Sequence, residues 1–226
     1  MEPLPGGARN AVWRSLPGTH PSVVFKTTRR CAGGLAWLGP VQAQARIAGF
    51  EVPELIRSTN GHLSERGWTC EPFIEGELAA PEEMVRLAPL MARFHLLTQG
   101  LSQRPGFASA EALIDAYTGG DVDLLAMPPG LVRACRAAWR ATAGGEAGII
   151  HGDLNPRNVI RTPRGTYALL DWDEARYDWL LFDRTPVEGV GPSGKTALAI
   201  AAWEVACCWQ IEPQRARALA ARYFQE

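Results

Sequence analysis

A chain of 226 residues, 46% hydrophobic and 21% charged, is long enough for one full domain or two small lobes. Its formal charge of −1 argues against a nucleic-acid or membrane-surface role, which normally shows a basic patch. The five cysteines (Cys31, Cys70, Cys135, Cys207, Cys208) are odd in number and lack metal-ligand spacing. They read as buried thiols of a reducing compartment. No apolar run approaches the ~20 residues of a bilayer span, and the first ten residues carry no signal-type apolar core, which predicts a cytoplasmic location.

Along the chain, residues 11–28 alternate in strand fashion around a turn near Pro17-Gly18. Residues 41–49 predict a short helix ended by Gly49, followed by an extended Val52–Ile56, and residues 67–75 read as another strand. At Gly76 the texture changes. From Pro81 to Leu97 apolar residues recur at helical spacing, with Gly100 just past the end. Helices are expected at 109–117 and 130–142, then strands at Val159–Arg161 and Thr166–Asp171 around the turn Thr162-Pro163-Arg164-Gly165. Residues 195–209 and 213–224 read as closing helices. Strands first and helices after fit an α+β chain with two lobes, residues 1–75 and 76–226, and a cleft between them.

The segment Ile149–Asp171 carries the chemistry. It holds His151-x-Asp153, then Asn158 five residues further on, then Asp171 at the end of an apolar run. One carboxylate to position and deprotonate an acceptor, with an amide oxygen and a second carboxylate for Mg²⁺, is what phosphoryl transfer from a nucleotide to a hydroxyl requires. Upstream, Leu4–Trp13 contains Gly6 and Gly7, whose missing side chains would let backbone N–H groups close over phosphates. One strand later stands Lys26. Of 23 basic residues only Lys26 and Lys195 are lysines, so a point charge retained there invites a functional reading.

The catalytic segment is similar to that of the aminoglycoside phosphotransferase and choline kinase-like family, a branch of the protein-kinase-like fold. His151-Gly152-Asp153 and Asp171-Trp172-Asp173 stand where protein kinases have HRD and DFG, as in small-molecule kinases of that family. The resemblance implies Asp153 as the catalytic base, Asn158 and Asp171 as Mg²⁺ ligands, and His151 as a scaffold residue. It further implies Lys26 on the α- and β-phosphates, Gly6, Gly7 and Asn10 in the nucleotide loop, and adenine contacts from the backbone of Glu71 to Phe73. His95 and Asp183 are implied as structural. The function implied is ATP- or GTP-dependent O-phosphorylation of a small-molecule hydroxyl.

Three features compete with this. The family pairs its lysine with a glutamate on the next helix, but no Asp or Glu lies between Lys26 and Glu51. Gln42 or Gln44 occupies that region, which leaves open a nucleotide-binding protein without turnover. The acidic run Asp173, Glu174, Asp178 and Asp183 suits either a cationic acceptor or a solvated loop with Asp183 bracing the catalytic turn. Finally, Gly189–Thr196 matches the P-loop pattern around Lys195. The polar, proline-broken Arg184–Glu188 before it is a poor buried strand, and too few residues follow for a βαβ sheet. Gly194-Lys195-Thr196 is expected to open a helix.

Overall fold

The computed structural model describes residues 1–4, 9–16, 18, 21–189 and 191–224. The first lobe is a four-stranded antiparallel sheet of β1 (Glu2–Pro3), β2 (Val12–Arg14), β3 (Val23–Thr27) and β4 (Trp68–Pro72), in that order. Between β3 and β4 come α1 (Ala32–Ala36) and α2 (Leu38–Ala48). Helix α2 starts three residues before the expected 41 and ends at Gly49, whose φ of 118° is open to glycine and forbidding to most residues. Val52–Ile56 is extended but joins no named strand; the Ile56 N–H donates to Cys70 O at 2.7 Å.

The expected helix over 81–97 is broken. Residues Pro81–Leu87 form 3₁₀ turns, and the α-helix proper, α3, runs Ala88–Leu97. Pro89 has no N–H to continue an α-helical ladder and its ring crowds the preceding turn, so the helix restarts with Pro89 in its first turn. Ahead of it, β5 (Glu77–Leu78) pairs with a later strand. Of the helix expected at 109–117 only the 3₁₀ turn Ala112–Ile114 exists, before the small hairpin β6 (Thr118–Gly119) and β7 (Val122–Asp123). Helix α4 is Pro129–Arg140.

Next come β8 (Ala147–Ile150), β9 (Val159–Arg161) and β10 (Tyr167–Leu169); the expected Thr166–Asp171 strand is shorter at both ends. Strand β11 (Arg176–Trp179) pairs antiparallel with β8 and encloses the catalytic turn, α5 (Leu181–Arg184) following directly. Helices α6 (Gly194–Cys208) and α7 (Pro213–Tyr223) close the chain. Gly194-Lys195-Thr196 is the first turn of α6, and a 3₁₀ turn at Thr185–Val187, in place of a strand, precedes it, which removes the P-loop reading.

The architecture is α+β and two-lobed, with two cores. The first joins Val41 and Ala45 of α2 to Phe94 of α3, Ile149, Leu169 and Trp172, so it is shared across the lobes. The second, around Leu113, Trp139, Trp179, Phe182 and Trp203, belongs to the helical lobe. Trp172, Trp179 and Trp203 are core residues, and Trp209 donates through Nε1 to Ala126 O at 2.9 Å. The cysteines depart from expectation at one end: Cys135, Cys207 and Cys208 are buried, while Cys31 is exposed and caps α1. No described helix is long and apolar enough to cross a membrane.

Candidate active site

The catalytic turn is held from behind by one buried carboxylate. Asp183 accepts hydrogen bonds from His151 N at 2.7 Å, Gly152 N at 3.0 Å and His95 Nε2 at 3.2 Å. Burial would raise its pKa, but the bond from His95 and the neighbouring His151 hold it below the usual carboxylate range. His151 Nε2 donates to Leu170 O at 2.8 Å, and its ring meets Trp172 edge-on at 4.8 Å. Nδ1 is then left to accept from Asp153 N at 3.4 Å. Both histidines are scaffold, as expected.

This frame presents Asp153 between two amides. Asn155 Nδ2 donates to its Oδ1 at 2.9 Å, and Asn158 Nδ2 donates to its Oδ2 at 2.9 Å and its carbonyl at 2.8 Å. Sequence reasoning passed over Asn155, although an Asn before Pro156 is an ordinary turn signal; its Oδ1 also accepts from Arg157 N at 2.9 Å. With Asn158 Nδ2 committed to Asp153, the amide oxygen of Asn158 is the atom free for a cation. Leu170 N donates to Asn158 O at 2.9 Å, which sets Asp171 beside Asn158 at the end of the β9–β10 hairpin.

Asp171 has φ 56° and ψ 68°, a left-handed conformation that a non-glycine residue adopts at a cost. It aims the carboxylate across the cleft into a short ion pair with Lys26. Asp173 stands 3.3 Å from the same ammonium and accepts from Asn10 Nδ2 at 2.6 Å. Burial would push Lys26 down, but Asp173 and Asp171 outweigh it and hold the ammonium above its ordinary pKa. Asp173 is in turn held low by Lys26 and Arg30 against the opposing effect of burial. The amide and carboxylate oxygens of Asn158 and Asp171 are the hard donor set that Mg²⁺ takes, so the residues fit that ion.

The remaining expected contacts distribute unevenly. Gly6 and Gly7 lie outside the described residues. Asn10 touches Asp173, two residues after Asp171, through its side chain. Glu71 is a β4 residue opposite Val24 whose side chain lines the cavity of Lys26. Phe73 follows the strand; its N–H is engaged by Ser22 O at 3.0 Å, which leaves its carbonyl as the free backbone group, and Arg14 stacks 3.5 Å above its ring. Gln42 lines the Lys26 cavity from α2, whereas Gln44 is not among the lining residues.

The acidic run divides into separate jobs. Asp178 is fully buried against Arg176 at 2.8 Å, and Asp183 braces the turn. Glu174 pairs with Arg9, which also reaches Asp121 at 3.4 Å and Glu212 at 3.6 Å. Arg30 grips Asp121 with a two-pronged pair, both bonds 2.7 Å, tying the two lobes at the cleft mouth. Arg104, buried, sends Nε to Gly34 O at 3.0 Å and Nη1 to the carbonyls of Trp172, Asp173 and Ala175 at 3.1, 2.9 and 3.2 Å. None of these arginines carries a local sequence signal; each is defined by what the fold brings to it.

A strand lysine set against a helical lobe, whose braced turn presents a carboxylate beside an amide–carboxylate cation pair, defines a kinase-like phosphotransferase acting on small molecules. The comparisons with known proteins agree. A model described as the phosphotransferase enzyme family matches residues 1–224, and the chain belongs to that family.

Solved structures share the fold at low identity. An aminoglycoside phosphotransferase in ternary complex with AMP-PNP and hygromycin B superposes with TM-score 0.66 at 13% identity, covering 97% of this chain and 90% of the other. A macrolide 2'-phosphotransferase from Brachybacterium faecium gives 0.54 at 16% identity, over 100% and 91% of the two chains. The choline kinase LicA from Streptococcus pneumoniae gives 0.57 at 16% identity, over 94% and 84%. No curated protein matches the sequence.

Proposed function

We propose that this phosphotransferase moves the γ-phosphoryl group of ATP or GTP to a hydroxyl of a small molecule in the cytoplasm, with Mg²⁺ required. The observation that carries the reading is Asp153, whose carboxylate is held by the side-chain amides of Asn155 and Asn158. Asp153 accepts the proton of the acceptor hydroxyl and aims its oxygen. Asn158 and Asp171 would hold Mg²⁺, which when bound neutralises charge on the donor phosphates. Lys26 grips the α- and β-phosphates, and Gly6, Gly7 and Asn10 are the candidates of the sequence for the nucleotide loop. The backbone from Glu71 to Phe73, the Phe73 carbonyl included, borders the base at the boundary between lobe 1–75 and lobe 76–226. Catalysis is then placement and charge neutralisation, with no covalent work for the protein.

The alternative, a nucleotide-binding protein without turnover, is motivated by the missing carboxylate on α2; the retention of Asp153, Asn158 and Asp171 together in a member of the phosphotransferase family favours turnover. The structural relatives are named for aminoglycosides, macrolides and choline, so these classes, with sugars and other amino alcohols, form the first acceptor panel. ADP or GDP release should rise above its basal rate with at least one hydroxyl compound and disappear when EDTA removes Mg²⁺. Release that is indifferent to every acceptor and to EDTA would count against the proposal.

A further inference from the structure

Helix α2 gives Lys26 no carboxylate, and the sheet register shows where one stands instead. Pairing of β3 with β4 sets Lys26 opposite Thr69 and Val24 opposite Glu71. Directly opposed residues share a face of the sheet, so Lys26 and Glu71 are diagonal neighbours on one face, roughly 7–8 Å apart at the backbone and within reach of two long side chains. Both line a single cavity with Gln42 of α2, Thr69 and Asp171. Burial pushes the Glu71 carboxyl up to about 7, and Lys26 is the cation that pulls it back. Glu71 in turn raises Lys26.

From this geometry we infer that Glu71 of β4 is the positioning carboxylate of Lys26, taking the place that the uncharged Gln42 leaves empty on α2. The inference rests on the reading of Lys26 as the phosphate-gripping residue. Its physical need is clear from the ion pairs. Asp171 and Asp173 pair with Lys26, but both sit on the proposed metal loop. If Asp171 turns to a cation, the ammonium loses a partner and would follow the loop. A carboxylate on the sheet, independent of that loop, keeps the ammonium on the phosphate side. Glu71 does so from the same sheet that carries Lys26, so the two move as one unit.

The test relocates the charge. Calorimetric affinities are measured for Mg·ATP and for adenosine, or for the guanine pair if the chain prefers it, with Lys26→Met, Glu71→Gln and the double variant Glu71→Gln/Gln42→Glu. Melting temperatures confirm that each variant is folded. Lys26→Met should weaken the nucleotide and leave the nucleoside unchanged. Glu71→Gln should also weaken the nucleotide, about tenfold, with no change for the nucleoside, since residues 71–73 border the base through backbone that the substitution keeps and only phosphate contacts pass through Lys26. Gln42→Glu in that background should restore most of the loss, because it returns a carboxylate to the cavity from the opposite wall. Wild-type nucleotide affinity in Lys26→Met would overturn the reading of Lys26 itself. With Lys26→Met impaired, the Glu71 assignment alone is overturned in either of two ways: Glu71→Gln binds like wild type, or the double variant stays as weak as Glu71→Gln.

Discussion

Gly152 shows how tightly individual residues of the catalytic turn are fixed. Its φ is +82°, and a Cβ there would meet Glu174 O at 2.5 Å and Arg176 Nη1 at 2.7 Å. The glycine in His151-Gly152-Asp153 therefore makes room for Arg176, which is buried against Asp178 and lies 3.4 Å over the Trp203 ring. Asp183 is the second such point. Asp183→Asn turns an amide N–H₂ toward backbone donors and should cost roughly 3–5 kcal/mol in urea unfolding at pH 7. The folded pKa of Asp183 is depressed, so its contribution is present above the unfolded value of about 3.9 and is lost as pH falls through the folded value. The gap between wild type and variant should thus narrow below that pH; a gap that is constant with pH would contradict the role.

Asp153, Asn158, Asp171 and Lys26 are legible as candidates in the sequence because phosphoryl transfer calls for those residue types at that spacing. Asn155, Arg104, Arg176 and Asp178 are not. A buried charge paired through tertiary structure leaves no local pattern, and in an arginine-rich chain an arginine draws no notice. Sequence order points to a helix for the partner of Lys26, whereas the register of β3 and β4 supplies the candidate.

Elements tell a similar story at a longer range. Helices α2, α4, α6 and α7 were readable from periodicity and from Gly49 and Pro213 at their ends. Apolar spacing predicts one helix over 81–97 because it continues through Pro89, whose missing N–H breaks the ladder there. Helix α1 contains Gly33 and Gly34, poor helix formers that tertiary packing overrides. Strand β11 was hidden by Arg176 and Asp178, charged residues that a surface reading assigns to solvent.

Arg104 binds such elements together, linking α1 to the loop after Asp171 through four carbonyls. Burial, reinforced by Arg30, pushes its guanidinium down to about 10. Arg104→Lys keeps the charge and loses the fork, so it should destabilise the chain by about 2 kcal/mol and weaken Mg·nucleotide binding together. Unaltered stability on chemical denaturation would remove the strut.

For the whole molecule, the decisive arrangement is the shared core. Helix α2 packs with α3, β9 and β10, so the lobe bearing Lys26 and the lobe bearing Asp153 are registered against one another by a common core. Arg30 and Asp121 add a second tie at the cleft mouth. This registration brings Lys26 of the sheet against Asp171 of the other lobe, the two residues through which the proposed phosphate and Mg²⁺ roles would meet.

The most direct test follows the γ-phosphoryl group itself. With γ-labelled nucleotide, Mg²⁺ and an acceptor found in the panel, wild-type enzyme should deliver label to the acceptor hydroxyl. Asp153→Ala should lose transfer by about 10²–10⁴-fold while keeping its affinity for Mg·nucleotide. Label reaching the acceptor at the wild-type rate in Asp153→Ala would contradict the account.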